Sequence, residues 1–141
     1  FTVGTAASTN GSDDNLIAYC FAEKSGYSKF GSYTANAAVD GNFIYTGFKP
    51  AFVMIKRTDA SDDWYIYDNK REGYNVDNDD LHPNNNDAED ADDKIDLLSN
   101  GFKLRAANND VNGNGNTYCY LAFAAEPLVA NVGQSIPATA R

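Results

Sequence analysis

His82 is the one histidine in a chain of 141 residues, so any Ser/His/Asp or Cys/His catalysis would have to run through it. It stands beside Pro83 in an acidic loop, and nothing in its sequence context holds an imidazole. A zinc site would combine it with Cys20 and Cys119, which lie far apart inside apolar strand patterns, a poor ligand spacing. Glycosidase chemistry needs two positioned carboxylates. Glu23 and Glu126, each closing an apolar run, are the one pair worth testing, and the E-x-D-x-E strand pattern of sandwich-fold glucanases is absent. Neither glycine-rich phosphate-loop pattern occurs. The residues therefore assign no catalytic group and no cofactor.

Contact chemistry is better represented. Trp64, Tyr65 and Tyr67, with Asn69 and neighbouring aspartates, offer flat apolar faces beside amides and carboxylates, which suits stacking on sugar rings or anchoring a protein partner. The same W-Y-I-Y run is also what a strand shared between core and surface looks like, and core packing is the favoured alternative. Tyr74, at the start of the long loop over 72–93, completes the candidate receptor or glycan surface. The run D-A-E-D-A-D-D over 87–93 makes Asp87, Asp90 and Asp92 the oxygen-rich candidates for calcium. Asp77, Asp79 and Asp80 form a lesser cluster. The EF-hand order is missing, so a solvated loop is the favoured reading and no metal is assigned.

The net charge is −9 and the sequence pI about 4.3. Such a surface repels phosphate backbones and anionic membranes, which excludes nucleic acid as the expected partner. No apolar run is long enough for membrane insertion, and no signal-peptide pattern opens the chain. Cys20 and Cys119 read as buried small hydrophobes, with free thiols favoured over a disulfide between them.

Positioning those residues requires strands. Hydrophobic residues make up 43% of the chain and aromatic ones 13%, enough for one domain with its own core. Apolar runs or alternation between turn signals predict strands over 15–23, 27–34, 42–48, 51–57, 64–68, 102–105 and 117–125, the first being near-continuously apolar. Ala51–Arg57 reads as a central strand covered on both faces. Over 64–68, Trp64 and Ile66 share one face, Tyr65 and Tyr67 the other. One or two helical turns are expected within 87–98. Two stretches, 1–23 and 102–126, read as copies of one strand–turn–strand unit centred on Asn10-Gly11 and Asn112-Gly113, overlaying Phe21 on Phe123; chance likeness between generic hairpins is the alternative. The expected fold is all-β, an antiparallel β-sandwich of jelly-roll or concanavalin-A-like type with one long acidic loop. It would span 1–127 and be followed by an extended C-terminal arm over 128–141.

The runs G-F-K-P-A-F-V-M-I-K-R-T-D (47–59) and D-W-Y-I-Y-D (63–68) resemble a family of tail-associated structural proteins of tailed bacteriophages, notably marine ones. So do G-Y-S-K-F-G-S-Y-T (26–34), D-G-N-F-I-Y-T-G-F (40–48), L-S-N-G-F-K-L-R (98–105) and the closing stretch from Ala122-Phe123 to A-T-A-R. The loop over 75–93 departs from that pattern in its richness in aspartate. The resemblance implies a β-sandwich virion component, in a tail fibre or other appendage, assembled in the host cytoplasm. Its implied partners are other virion proteins, further copies of itself (a trimer if part of a fibre), and a host surface glycan or protein. It carries over no catalytic residue. A carbohydrate-binding module and a capsid decoration protein are the alternative readings.

Overall fold

The computed structural model describes residues 1–13, 15–71, 75 and 79–126. Seven strands carry the fold: β1 Ser28–Thr34, β2 Phe43–Tyr45, β3 Pro50–Arg57, β4 Trp64–Asp68, β5 Ile95–Leu98, β6 Gly101–Leu104 and β7 Thr117–Ala124. They form two antiparallel sheets, one in the order β1-β7-β3-β4 and the other in the order β2-β6-β5. The four-stranded sheet supplies Val53, Ile55, Tyr65, Tyr67, Tyr118, Tyr120 and Ala122 to the core; the three-stranded one supplies Ile44, Ile95, Leu97, Phe102 and Leu104. Phe102 meets Tyr120 edge-on at 5.3 Å between centroids and Tyr33 at 6.3 Å, locking one sheet onto the other. This is the expected all-β sandwich.

Register explains which side chains go inside. Ile55 lies opposite Tyr65 and Tyr120, and Val53 opposite Tyr67 and Ala122, so one row of apolar side chains runs across three strands. The alternate row, Phe30, Leu121, Met54 and Ile66, faces outward and is only half covered. The central position of β3 is as expected, but its second face is not sealed. Pro50 opens the strand, where a missing N–H is least costly.

Three expectations are corrected. Residues 15–23 form no strand: a four-residue helical turn, Ala7–Asn10, precedes them, and Ile17 and Tyr19 are each 81% exposed. A continuous apolar run marks a stretch able to pair but not the edge that must supply the other half of its hydrogen bonds. Second, the stretch over 102–126 is no hairpin, because β6 and β7 belong to different sheets. Asn112 is fully buried, and its side chain donates to the carbonyls of Ala38 and Ala106 at 2.8 and 2.9 Å while accepting from the Asn36 N–H. The Asn-Gly pair thus anchors a crossover instead of closing a turn. Third, no helix forms within 87–98 among the described residues. Ile95 and Leu97 are buried with Asp96 between them, and that period of two pairs Ile95–Leu98 with β6. Pro127 and the expected arm over 128–141 lie outside the described residues.

Candidate functional site

The most unusual local chemistry lies where the acidic loop crosses β4. Leu81 bridges Ile66 at the β4 edge, and Asp80 bridges Asp90, so the loop folds over the sheet end as a short ribbon. That path drives Asp80 and Lys94 into the interior, 0% and 1% exposed. Burying either charge alone costs several kcal/mol, roughly, and is tolerated only with a close partner.

The partners are present. Lys94 Nζ stands 2.6 Å from Asp80 Oδ2, 3.1 Å from Asp110 Oδ2 and 3.3 Å from Asp90 Oδ2, with Asp92 at 4.0 Å. The ammonium also lies 5.2 Å from the centre of the Tyr65 ring. Tyr67 Oη donates to Asp80 Oδ2 at 3.3 Å, and His82 Nε2 stands 3.2 Å from the other oxygen of Asp80. His82 packs edge-on against Tyr65 at 4.9 Å, its Nδ1 3.8 Å from Asp63. A second clasp is nearby: Arg71 donates to Asp68 at 2.7 Å, to Glu89 at 2.6 Å and to the Ile66 carbonyl at 3.2 Å.

Burial of Lys94 disfavours its charged form, but its hydrogen bonds to Asp80 and Asp110 outweigh that and raise its pKa above the ordinary lysine value. The amine is therefore held as an ammonium, unsuited to act as a nucleophile or base near neutral pH. Burial, followed by the neighbouring Asp80 carboxylate, pushes Tyr67 well above the ordinary tyrosine range; burial followed by Asp110 does the same to Tyr65, and burial raises Tyr33. A raised folded pKa stabilises the fold up to the unfolded value, and that contribution is lost as pH climbs above it. Ultraviolet titration should therefore show that Tyr33, Tyr65 and Tyr67 stay protonated at about pH 10–11, where an exposed tyrosine ionises, and ionise together with unfolding. Reversible ionisation of all three in the folded protein would contradict this burial.

The residues expected to make contacts divide. Tyr65, Tyr67 and Asn69 are buried, at 4%, 0% and 7% exposure, and cannot meet a receptor or glycan. Tyr65 and Tyr67 point inward because their parity matches Val53 and Ile55 across the ladder. Trp64 lies on the outward row, half-buried, its backbone N–H donating to Asn84 Oδ1 at 2.8 Å. Tyr74 and Asp77 lie outside the described residues.

The calcium candidates are also redistributed. Asp90 and Asp92 turn toward the Lys94 ammonium, while exposed Asp87 accepts from the Asn85 side chain at 2.8 Å. Among the described residues no group of three or more His, Cys, Asp or Glu side chains is arranged to hold a metal. The positive charge toward which these carboxylates turn is the Lys94 ammonium. The imidazole read as unheld packs between Asp80 and the Tyr65 ring, although Asp80 Oδ1 and His82 Nδ1 each lack a hydrogen-bond partner among the described residues. Glu23 pairs with Lys29 at 2.7 Å, and Glu126 is exposed beyond β7. Both cysteines are free: Cys119 is half-buried, but Cys20 is exposed with its unpaired segment. The one signal in the sequence for the Lys94 clasp was a lone lysine between Asp92-Asp93 and the apolar strand.

Residues 1–127 match the family described as a domain of unknown function (DUF7483), and the chain belongs to that family. No curated protein matches it, and no solved structure does.

Proposed function

We propose that this member of the DUF7483 family, whose function is not known, is a non-enzymatic structural and host-recognition component of a bacteriophage virion. It would be a tail-fibre or appendage domain, assembled in the host cytoplasm and working among other virion proteins and further copies of itself. The observation that carries this reading is an exposed apolar patch on an otherwise acidic surface. Phe1, Ile17, Tyr19 and Phe21 are exposed, and Phe21 leads onto a cluster with Phe30, Phe123 and Tyr27 on the outward face of the four-stranded sheet. Contiguous exposed apolar surface of this kind suits protein association. The charged groups at the β4 end bind one another, which suits a stiff scaffold. The resemblance of 26–34, 40–48, 47–59, 63–68 and 98–105 to tail-associated proteins supplies the setting.

Mass spectrometry of purified particles of the encoding phage tests this directly: the chain should be present at a fixed stoichiometry to a tail protein. Its absence from particles that carry a complete tail would end the proposal. Host recognition has its own readout. Half-buried Trp64 beside Asn84 and Asp63 is the remaining aromatic contact candidate on β4. Trp64→Ala should lower binding to host cells or to an array glycan at least about tenfold, a loss of about 1.4 kcal/mol, with the melting temperature nearly unchanged. Unchanged binding would remove Trp64 from the contact surface.

A further inference from the structure

The edge of β1 is open, and the segment that precedes it has the sequence to fill it. Tyr27 and Ala35 bond to β7 and its approach, through Ala124 and Asn116. Odd-numbered residues of β1 therefore turn their backbone groups toward β7, and even-numbered ones toward the free edge. On that edge Ser28 exchanges both hydrogen bonds with Lys24, at 3.2 and 2.9 Å, and the Thr34 carbonyl accepts from Asn42. Phe30 and Ser32, between them, have no backbone partner on that side among the described residues.

The Lys24–Ser28 pair is also the closed end of a hairpin. Its three-residue turn holds Gly26 at φ 71°, a left-handed conformation that glycine adopts without strain. Glu23 and Lys29, the next positions in register, already form an ion pair at 2.7 Å. Continuing the ladder would place Ala22 opposite Phe30, Cys20 opposite Ser32 and Ala18 opposite Thr34. In that register Tyr19-Cys20-Phe21 lies level with Tyr118-Cys119-Tyr120, the stretch of β7 that already pairs with Tyr33, Ser32 and Gly31 on the other side. One strand would then be flanked by two near-identical tripeptides.

In the structure the segment sits elsewhere. Phe21 stacks on Phe30 at 6.0 Å and meets Phe123 at 5.9 Å on the outward face, which leaves Ile17 and Tyr19 in water. We propose that residues 17–23 are a strap with a second seat, the open edge of β1 in the same chain, where they pair as an eighth strand. Taking that seat moves Ile17, Tyr19 and Phe21 to the side of Gly31 and Tyr33 and puts small Ala18, Cys20 and Ala22 outward. It also lifts Phe21 from Phe30 and Phe123, so closing the edge uncovers the aromatic face. The pairing stands independently of any virion role. Its use in exposing an association face rests on the proposed function, and the experiment reads the pairing alone.

Full-length Ser32→Cys with Cys119→Ser, held under oxidised glutathione, places one thiol opposite Cys20. Directly opposed, hydrogen-bonded antiparallel residues have Cα atoms about 5.5 Å apart, within the span of a disulfide. The expected product is a monomeric cross-link between Cys20 and the thiol introduced at position 32, by intact mass and non-reducing electrophoresis. It should form at least about tenfold faster than with Thr34→Cys, which is two residues out of register. Adding Ala22→Pro, which removes a ladder donor, should abolish the cross-link while the melting temperature stays near that of the parent variant. In the unmodified protein, hydrogen exchange should show protection at Phe30 and Ser32. Glutathione adducts alone, or equal rates for Ser32→Cys and Thr34→Cys, would overturn the proposal. A cross-linked dimer would seat a second copy's strand on the edge and overturn the assignment to the same chain.

Discussion

Replacing Lys94 with methionine is expected to cost about 3–5 kcal/mol, the range for removing one partner from a buried ion pair. The side-chain volume is nearly kept, so the loss is electrostatic. Among the described residues Asp80, fully buried, keeps the Tyr67 hydrogen bond with His82 Nε2 standing 3.2 Å away, and Asp110 and Asp90 lose the charge toward which they converge. For a domain of this size that predicts a melting temperature lower by roughly 10–20 °C. A partner substitution separates this account from simple loss of packing. Asp80→Asn in the Lys94→Met background should recover part of the loss, giving a coupling energy of at least about 1 kcal/mol in a double-mutant cycle. Additive losses would show that Lys94 matters for its alkyl stem and not for its ammonium.

Gly101→Ala is expected to be comparably severe, at or above the upper end of the usual overpacking cost of about 1–3 kcal/mol. Gly101 is buried between strands, opposite Tyr45 at the end of the β2–β6 ladder. A Cβ there would drive into the Ile44 carbonyl oxygen and come within 2.8 Å of the Phe43 ring. The ring can turn aside, but the carbonyl belongs to the strand it pairs with, so β2 itself would have to move. Gly115, at φ 73° with open space around it, is the informative control: its strain under substitution is conformational and not steric. Urea denaturation should place Gly101→Ala well below Gly115→Ala in midpoint. Equal midpoints would mean that β2 yields easily and contributes little to the sandwich.

Much of the sandwich is legible in the sequence. A period of two puts Val53 and Ile55 on one face of their strand and Tyr65 and Tyr67 on one face of theirs, whatever sheet they join. The same rule separates Trp64 and Ile66 from Tyr65 and Tyr67 on β4, but which pair turns inward was decided by the sheet that covers it. Paired with composition, that pattern determined the all-β class.

Strand partnership was beyond the sequence. Residues 15–23 and 117–125 have nearly the same apolar pattern, yet the later stretch supplies the second strand of a four-stranded sheet and the earlier one is unpaired. Pairing depends on which edge is free and at what distance, and neither is encoded in local periodicity. The clasp at the β4 end was hidden for a related reason. Asp80, His82, Lys94 and Asp110 carry ordinary loop chemistry when read singly. Their electrostatics change only when folding removes water and brings carboxylates within about 3 Å of one ammonium. The sequence by itself determined the class of fold and the parity of its faces. Only the tertiary structure decided which edge stays open and which charges are buried together, because both are set by long-range contacts between segments that carry no mark of each other.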